Sequence, residues 1–447
     1  MTLKLYTTLH IGIDDTDSPK MGCTTYVTAL LVEKLTKLGV SFLDYPNLIR
    51  LNPNVPWKTR GNGALCLRVK INDQQLDKVK ETVIETVEEN SDIKYSGTDP
   101  GVVFYSGEVT PDIADFAKRT IQDIVTMNEA LKLIETHNAE AVGFKSGRGI
   151  IGALAAVGER LLGDHTYELI TYRIAKNRGT ARKLDKDSVV KMDKQTNPLT
   201  FNNIDPETGR ILIMPRGPDP ILYGIRGENP EVVRKASKIV KPLEEVERWV
   251  IFRTNHGTDA HLQLVKKMSQ IQPYKPAILR GTVVAQPQTI PGGHVIFTIE
   301  NDGMKIDCAA YEPTGNFRFV AKKLIKGDQV EVYGGVRPAS AEHNQTINLE
   351  KMRILKLAEK TIYRNPECPK CSKRMKSMGV NQGFRCEKCG FRSAKAAKVS
   401  VELQRNLKEG LFITPPRAHR HLTKPYSRYG MEKSGAPSHL LKSWHNP

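Results

Sequence analysis

The stretch Leu9-His10-Ile11-Gly12-Ile13-Asp14-Asp15-Thr16-Asp17-Ser18-Pro19-Lys20-Met21-Gly22-Cys23-Thr24-Thr25 decides how the amino-terminal third is read. Leu9–Ile13 is an apolar run of strand length that ends in an acidic turn. After the second turn, apolar residues recur at Val27, Leu30, Leu31, Leu35 and Leu38 and stop at Gly39, the spacing of a helix face closed by glycine. Strand, acidic turn and helix start predict an α/β unit with Asp14, Asp15 and Asp17 beside a helix N-terminus. Carboxylates hold Mg²⁺ through oxygen, and the free N–H groups of a helix end receive phosphate. Together they would fix a nucleoside triphosphate with its metal, as phosphoryl transfer requires. The Walker A spacing is absent. The plain alternative is an acidic turn without metal, followed by threonines that cap a helix.

Working outward, Ala64–Ile71 alternates as a strand, and Leu76, Val79, Val83, Ile84 and Val87 mark a second helix. Two basic glycine segments flank this region. Lys58-Thr59-Arg60-Gly61-Asn62-Gly63 and Lys145-Ser146-Gly147-Arg148-Gly149 each offer cations, with glycines that let phosphate approach closely; a tight turn explains either equally well. Glycine-rich turns and apolar strands alternate again from Ala141 to His261, a second α/β or α+β unit. Beyond Ile271–Pro276 the chain becomes β. AILRGTVV, HVIFTIE, MKIDCAAY, QVEVYGGV and TINLEKMRIL are five alternating runs that predict a small Greek-key barrel of the OB type.

Cys368-x2-Cys371 and Cys386-x2-Cys389 have the spacing of two knuckles around one tetrahedral Zn²⁺. Four thiolates leave no open coordination position, so this zinc is structural. Lys373, Arg374, Lys376, Arg385, Lys388 and Arg392 surround the ligands, with Phe384 and Phe391 among them, a mixture suited to phosphates and unpaired bases. Of the net charge of +18, thirteen units fall in residues 361–447, which hold 18 basic and 5 acidic side chains. Such a concentration predicts a polyanionic partner. Pro415-Pro416-Arg417-Ala418-His419-Arg420-His421 continues the basic surface, unless it is a disordered tail. Cys23, Cys66 and Cys308 read as buried thiols, and no Ser-His-Asp pattern stands out. No apolar run approaches the ~18 residues of a membrane span, and the amino end turns acidic too early for a signal peptide. The expected location is a reducing cytoplasm.

IGIDDTDSPKMGCTTY, NLIRLNPNVPWKTRGNGA, GTDPGVVFY, GFKSGRGIIGALAAVG, DHTYELITYR, GPDPILYGIRGE and IFRTNHGTDAHL, in that order, resemble the archaeal 2-agmatinylcytidine synthetase family that acts on a minor isoleucine tRNA. The barrel, cysteine ribbon and PPRAHRHLTKP segment continue the resemblance over nearly the whole chain. It implies a multi-domain α/β and α+β protein: a kinase-like ATP-binding domain over residues 1–139, a ferredoxin-like domain over 140–268, an OB-fold barrel over 274–358, a zinc ribbon over 363–395 and a basic tail over 396–447.

The resemblance also implies a chemistry. ATP phosphorylates the C2 oxygen of the wobble cytidine, the agmatine amine displaces phosphate, and ATP ends as AMP and phosphates. The product, 2-agmatinylcytidine, lets AUA be read as isoleucine. The base must be extruded, because C2 is inaccessible within a stacked loop. By position, Asp14, Asp15 and Asp17 match the family's metal and catalytic cluster, and Thr24 matches its autophosphorylated threonine. Lys58, Arg60, Gly61, Asn62, Gly63, Lys145 and Arg148 are expected on the nucleotide. Two positions depart from the family pattern: Met21-Gly22 where Gly-Met is usual, and Arg216 where histidine is common. Asp219 is the candidate partner for the agmatine guanidinium on charge complementarity. Implied cofactors are ATP, Mg²⁺ and structural Zn²⁺; implied partners are the minor isoleucine tRNA and agmatine. The competing class is a non-catalytic single-strand-binding protein, which has no need of the acidic turn.

Overall fold

The computed structural model of the protein describes residues 6–447. The first five residues, part of the amino end on which the signal-peptide reading rests, lie outside them. The amino-terminal elements are β1 (Tyr6–Asp14), α1 (Thr24–Lys37), β2 (Ser41–Phe42), β3 (Asn47–Arg50), β4 (Gly63–Asn72), α2 (Leu76–Asn90), β5 (Gly101–Ser106), α3 (Pro111–Gln122), α4 (Met127–Thr136), β6 (Glu140–Gly143) and α5 (Gly149–Gly158). β1 runs between β4 and β5, antiparallel to both. Its Leu9, Ile11 and Ile13 join Val27, Leu31 and Leu35 of α1 and Val79, Val83 and Val87 of α2 in one core. On the opposite face, Cys66 and Val103 pack with Phe116 of α3 and Ala153, Leu154 and Val157 of α5. The alternation in Leu9-His10-Ile11-Gly12-Ile13 follows the two covered faces: the large apolar side chains meet α1 and α2, and Gly12 lets α5 approach the other side.

The second unit comprises β7 (Thr166–Arg173), α6 (Lys186–Thr196), β8 (Thr200–Phe201), β9 (Ile221–Gly227), α7 (Pro230–Ile239) and β10 (Val246–Thr254), with strands in the order β10-β7-β9-β8. The two units share one sheet. β10 pairs in parallel with β3, Arg253 opposite Asn47, giving an eleven-stranded sheet that includes β2 and a terminal pair at His445–Asn446. The packing break differs from the boundary expected between 139 and 140. β6 pairs with β5, and α5 packs against β1, so residues 140–158 belong with the amino-terminal strands.

β11 (Gln263–Val265), β12 (Pro276–Val283), β13 (Gln288–Ile290), β14 (His294–Asn301), β15 (Met304–Ala310), α8 (Asn316–Lys322), β16 (Gln329–Arg337) and β17 (Thr346–Lys356) form the third unit. β12, β16, β17, β15 and β14 close into a five-stranded barrel, because the end of β12, still paired with β16 through Thr282, also pairs with β14 through Thr282 and Val283. Leu279, Val295, Phe297, Cys308, Val332 and Met352 fill its interior.

The carboxyl-terminal segment differs from the expected tail. Gly410–Ile413 adds to β17, and the following residues run back across all three units as a strap. Arg417 pairs with Asp205 and Glu207 of the second unit. Arg428, fully buried, binds Asp164 and Glu228. Trp444 is buried against Tyr45 and Phe42. Here the basic residues meet carboxylates of the same chain, which removes the disordered-tail reading and leaves those cations unavailable to a polyanion. Among the described residues no helix is long and apolar enough to cross a membrane.

Candidate active site

A cavity of about 510 Å³ opens where the end of β1, the 55–63 loop, the start of α5 and the 210–219 loop meet, and Pro416, Arg417 and residues 419–421 of the strap form another wall. Of the residues singled out in the sequence, Asp14, Asp15, Asp17, Thr24, Lys58, Arg60, Gly61, Asn62, Gly63, Arg148 and Asp219 all line it. Lys145 does not. Its ammonium donates to the carbonyls of Tyr95, Ser96 and Thr98 and so fastens the loop before β5.

The three aspartates are differently placed. Asp15 turns the chain at φ 58°, and its carboxylate receives Arg148 Nη2 at 2.8 Å. Asp17 receives Arg60 Nε at 2.9 Å. Asp14 has no ion-pair partner among the described residues. Burial, followed by the like charges of Asp15 and Asp17, pushes its carboxyl well above the usual range. Burial raises Asp15 and Asp17 too, outweighing Arg148 and Arg60. α5 approaches Asp14 so closely that a Cβ on Gly152 would stand 1.8 Å from Asp14 Oδ2. The three carboxylates do not converge on one point: among the described residues, the four cysteines are the one set of three or more ligand side chains whose donor atoms lie within 4.8 Å. An enclosed, unpaired carboxylate fits a divalent cation that takes its remaining ligands from phosphate and water, which is how Mg²⁺ is usually held.

Arg60 is the knot of the site. Beyond Asp17 it donates to the carbonyls of Ser18, Met21 and Gly22, and its Nη1 lies 3.3 Å from Asp219. Its donors are committed to bracing the acidic turn, not left free for a phosphate as expected. Gly22 turns within that brace at φ 80°. Asp219 holds Arg60 on one oxygen and Arg182 on the other, at 3.2 Å. α1 starts with Cys23 at its cap and no side-chain cap bond, so its first N–H groups are not spent on a capping side chain. Thr24 begins the helix, buried, and accepts a 3.0 Å hydrogen bond from the Thr16 hydroxyl.

Sequence reasoning missed the opposite end of the cavity. There Glu168 of β7 is buried between Arg226, at 3.1 Å, and Arg50, at 3.7 Å, beside His256 and His421. The arginines and His256 hold the Glu168 carboxyl well below its usual range despite its burial. The signal was a carboxylate inside the strand TYELITYR, but a charge in a strand names no partner until the pairing is known. The glycines of the 58–63 loop serve this cluster: a Cβ on Gly61 would meet His421 Nε2 at 2.6 Å and Arg50 Nη1 at 3.0 Å.

In the ribbon, Cys368 and Cys389 sulfurs lie 3.4 Å apart, as do those of Cys371 and Cys386. A tetrahedron with Zn–S of about 2.3 Å has edges of about 3.8 Å, so the four fit one zinc. Backbone N–H groups of Cys389 and Lys388 point at the Cys386 sulfur and, with Cys371, lower its pKa, favouring thiolate.

Fold and cavity define a multi-domain enzyme in which a charged chemical centre is joined to a small barrel and a zinc ribbon. Three family descriptions match in order: the TiaS TCKD domain over residues 10–146, the TiaS FLD domain over 147–261 and the TiaS C-terminal zinc ribbon domain over 365–407. The isoleucine-tRNA 2-agmatinylcytidine synthetase TiaS of Pyrococcus horikoshii is 44% identical over 419 residues, 93% of this chain and 96% of the relative. The crystal structure of TiaS in complex with its isoleucine tRNA and ATP is similar with a TM-score of 0.86 and 41% identity. That of TiaS with the tRNA, AMPCPP and agmatine gives 0.84 and 39%; each covers 94% of this chain and 97% of the other. The chain belongs to the isoleucine-tRNA 2-agmatinylcytidine synthetase (TiaS) family.

Proposed function

We propose that the protein is an ATP-dependent ligase that joins agmatine to C2 of the wobble cytidine of the AUA-reading isoleucine tRNA. The observation that carries this is end-to-end likeness to relatives of that name and to a structure holding an isoleucine tRNA, an ATP analogue and agmatine together. A single-strand binder without chemistry has no use for an enclosed, unpaired Asp14.

In this reading Asp14, with Asp15 or Asp17 at its side, holds Mg²⁺, which when bound neutralises phosphate charge. The start of α1, free of a capping side chain, receives phosphate, and Thr24 is the phosphate-accepting hydroxyl. Arg60 holds the acidic turn in place through its carbonyls, Arg148 orients Asp15, and Lys58, Gly61, Asn62 and Gly63 form the nucleotide wall. Lys145 acts indirectly, by fixing the neighbouring loop. Asp219 is retained as the guanidinium partner, although agmatine would then have to share it with Arg60 and Arg182. A base seated in the cavity would shield the activated C2 phosphate from water on the protein side, which favours attack by the amine over hydroxide.

The domain names follow the same reading. The order β-α-β-β-α-β of the second unit supports a ferredoxin-like domain, and the closed five-stranded barrel supports an OB fold. The amino-terminal sheet is then the kinase-like domain, and chemistry on tRNA by a zinc-thiolate protein supports a cytoplasmic location.

The test is mass analysis of the minor isoleucine tRNA after incubation with the protein, ATP, Mg²⁺ and agmatine. A single 2-agmatinyl adduct at the wobble cytidine is expected, with none when agmatine is omitted. Asp15→Ala should abolish the adduct while tRNA affinity stays within about twofold; an unchanged adduct would remove the acidic turn from the chemistry.

A further inference from the structure

A second groove, of about 1030 Å³, lies behind the wall of the catalytic cavity. Arg210, Ile211, Met214, Pro215, Arg216, Gly217 and Asp219 line both spaces. The groove is cationic. Its inner part holds Arg173 and Arg182, both occupied by carboxylates of this chain, Glu244 and Asp219. Its rim is different: Lys20, Lys186, Arg210 and Arg216 are exposed, and none has a carboxylate within ion-pairing distance among the described residues. Four cations without a carboxylate partner around one groove concentrate positive charge that a polyanion would neutralise. The same groove has an apolar side from Pro19, Val190, Met214, Pro215 and Pro218.

We propose that this groove carries the sugar–phosphate backbone of the RNA next to the extruded base. A nucleotide turned out of a stacked loop needs its base in an enclosed pocket and its flanking phosphates on an open, basic surface. The two spaces supply that division across one shared wall: the base passes into the 510 Å³ cavity while the strand lies along the rim cations. Sugars and the adjacent base rest on the prolines, Met214 and Val190. A free nucleoside triphosphate is the poorer occupant, because the carboxylates that fit its metal open only into the catalytic cavity. Arg216 adds a fixed charge on the wall shared by the two spaces.

The inference rests on the reading of the protein as a tRNA-modifying enzyme, and its test separates the two. The full-length variant with Lys20→Ala, Lys186→Ala, Arg210→Ala and Arg216→Ala is compared with the parent for binding of the minor isoleucine tRNA across a salt series, for ATP binding and for thermal melting. Each phosphate that is no longer neutralised should make the slope of log affinity against log salt shallower by about 0.7, so by roughly 3 for four cations, with tRNA affinity at least on the order of tenfold weaker. The melting midpoint should match the parent, since all four side chains are exposed, and ATP binding should match it in the Lys20→Ala, Lys186→Ala double variant, whose residues line the groove but not the catalytic cavity. Unchanged tRNA affinity and slope, in a variant of a parent that does make the adduct, would overturn the groove alone. A loss confined to ATP in that double variant would instead make the groove a nucleotide site and overturn the proposal. Absence of tRNA binding and of adduct in the parent would overturn both this inference and the functional reading beneath it.

Discussion

At the scale of single residues, the site is organised by who is paired and who is not. Asp15 and Asp17 each have an arginine, whereas Asp14 is left enclosed among like charges, and one glycine makes that enclosure possible. In the interior of α5 alanine is the better helix former by about 1 kcal/mol. In Gly152→Ala that gain offsets only part of the strain of driving the Cβ into the Asp14 carboxylate, so the melting midpoint should fall modestly. A displacement of that size near reacting atoms costs on the order of 100-fold in rate. Adduct formation should fall by that much while tRNA affinity holds; a fully active Gly152→Ala protein would show that Asp14 can move freely. The acidic turn was legible because strand, turn and helix follow one another within seventeen residues. Arg60 was legible as important but not in role, since its acceptors at Ser18 lie 42 positions away. Glu168, His256 and His421 were illegible for the same reason, being gathered from β7, the end of β10 and the strap.

At the scale of elements, the barrel and ribbon were read correctly from alternation and cysteine spacing, both local patterns. The strap was not. Its basic composition resembles an RNA-binding tail, and only the fold reveals that Asp164, Asp205, Glu207, Glu228 and Glu350 wait for it on two different units. Arg428 is its anchor, donating to Glu228, Asp164 and the Gly257 carbonyl. Arg428→Ala leaves those acceptors buried without it, a loss on the order of 3 kcal/mol. Limited proteolysis should then release the segment after residue 414 before the sheet is cut. The ribbon is the opposite case, with Cys368, Met375, Phe384 and Cys386 as its buried core. So small a core cannot hold without metal. A zinc chelator should make residues 363–395 protease-sensitive and leave the barrel and the eleven-stranded sheet intact; resistance of the metal-free ribbon would contradict the four-thiolate assignment.

At the scale of the whole molecule, the fused sheet and the strap leave titratable groups buried within the sheet and at the junctions between units, and these contribute to the response to acid. Burial first, then neighbouring cations, hold His256 at about 3 and His10 at about 4, while burial holds His419 at about 4, against 6.5 when free. Glu350 sits where β17 meets the strap. Its burial would raise it, but His261, Arg420 and Thr423 outweigh that and bring it to about 2, from 4.5 when free. For both kinds of group the folded pKa lies below the unfolded one. The unfolded chain therefore binds more protons as pH falls, and the stabilisation, complete above pH 6.5, is withdrawn on acidification. The histidines act between 6.5 and about 3, and Glu350 between 4.5 and about 2. Each fully buried group that takes up a proton only on unfolding steepens the loss by about 1.4 kcal/mol per pH unit. These histidines and Glu350 should make the melting midpoint decline below pH 6.5, with the raised carboxyls of Asp14, Asp15 and Asp17 offsetting part of the loss. Because Glu350 and His419 lie at the barrel–strap junction and His256 at the floor of the cavity, protease sensitivity should appear first near residues 414–425, before global unfolding. A midpoint that stays level down to pH 4 would mean that these histidines are protonated in the folded protein, and the strap would then be held by charges other than those that now face it.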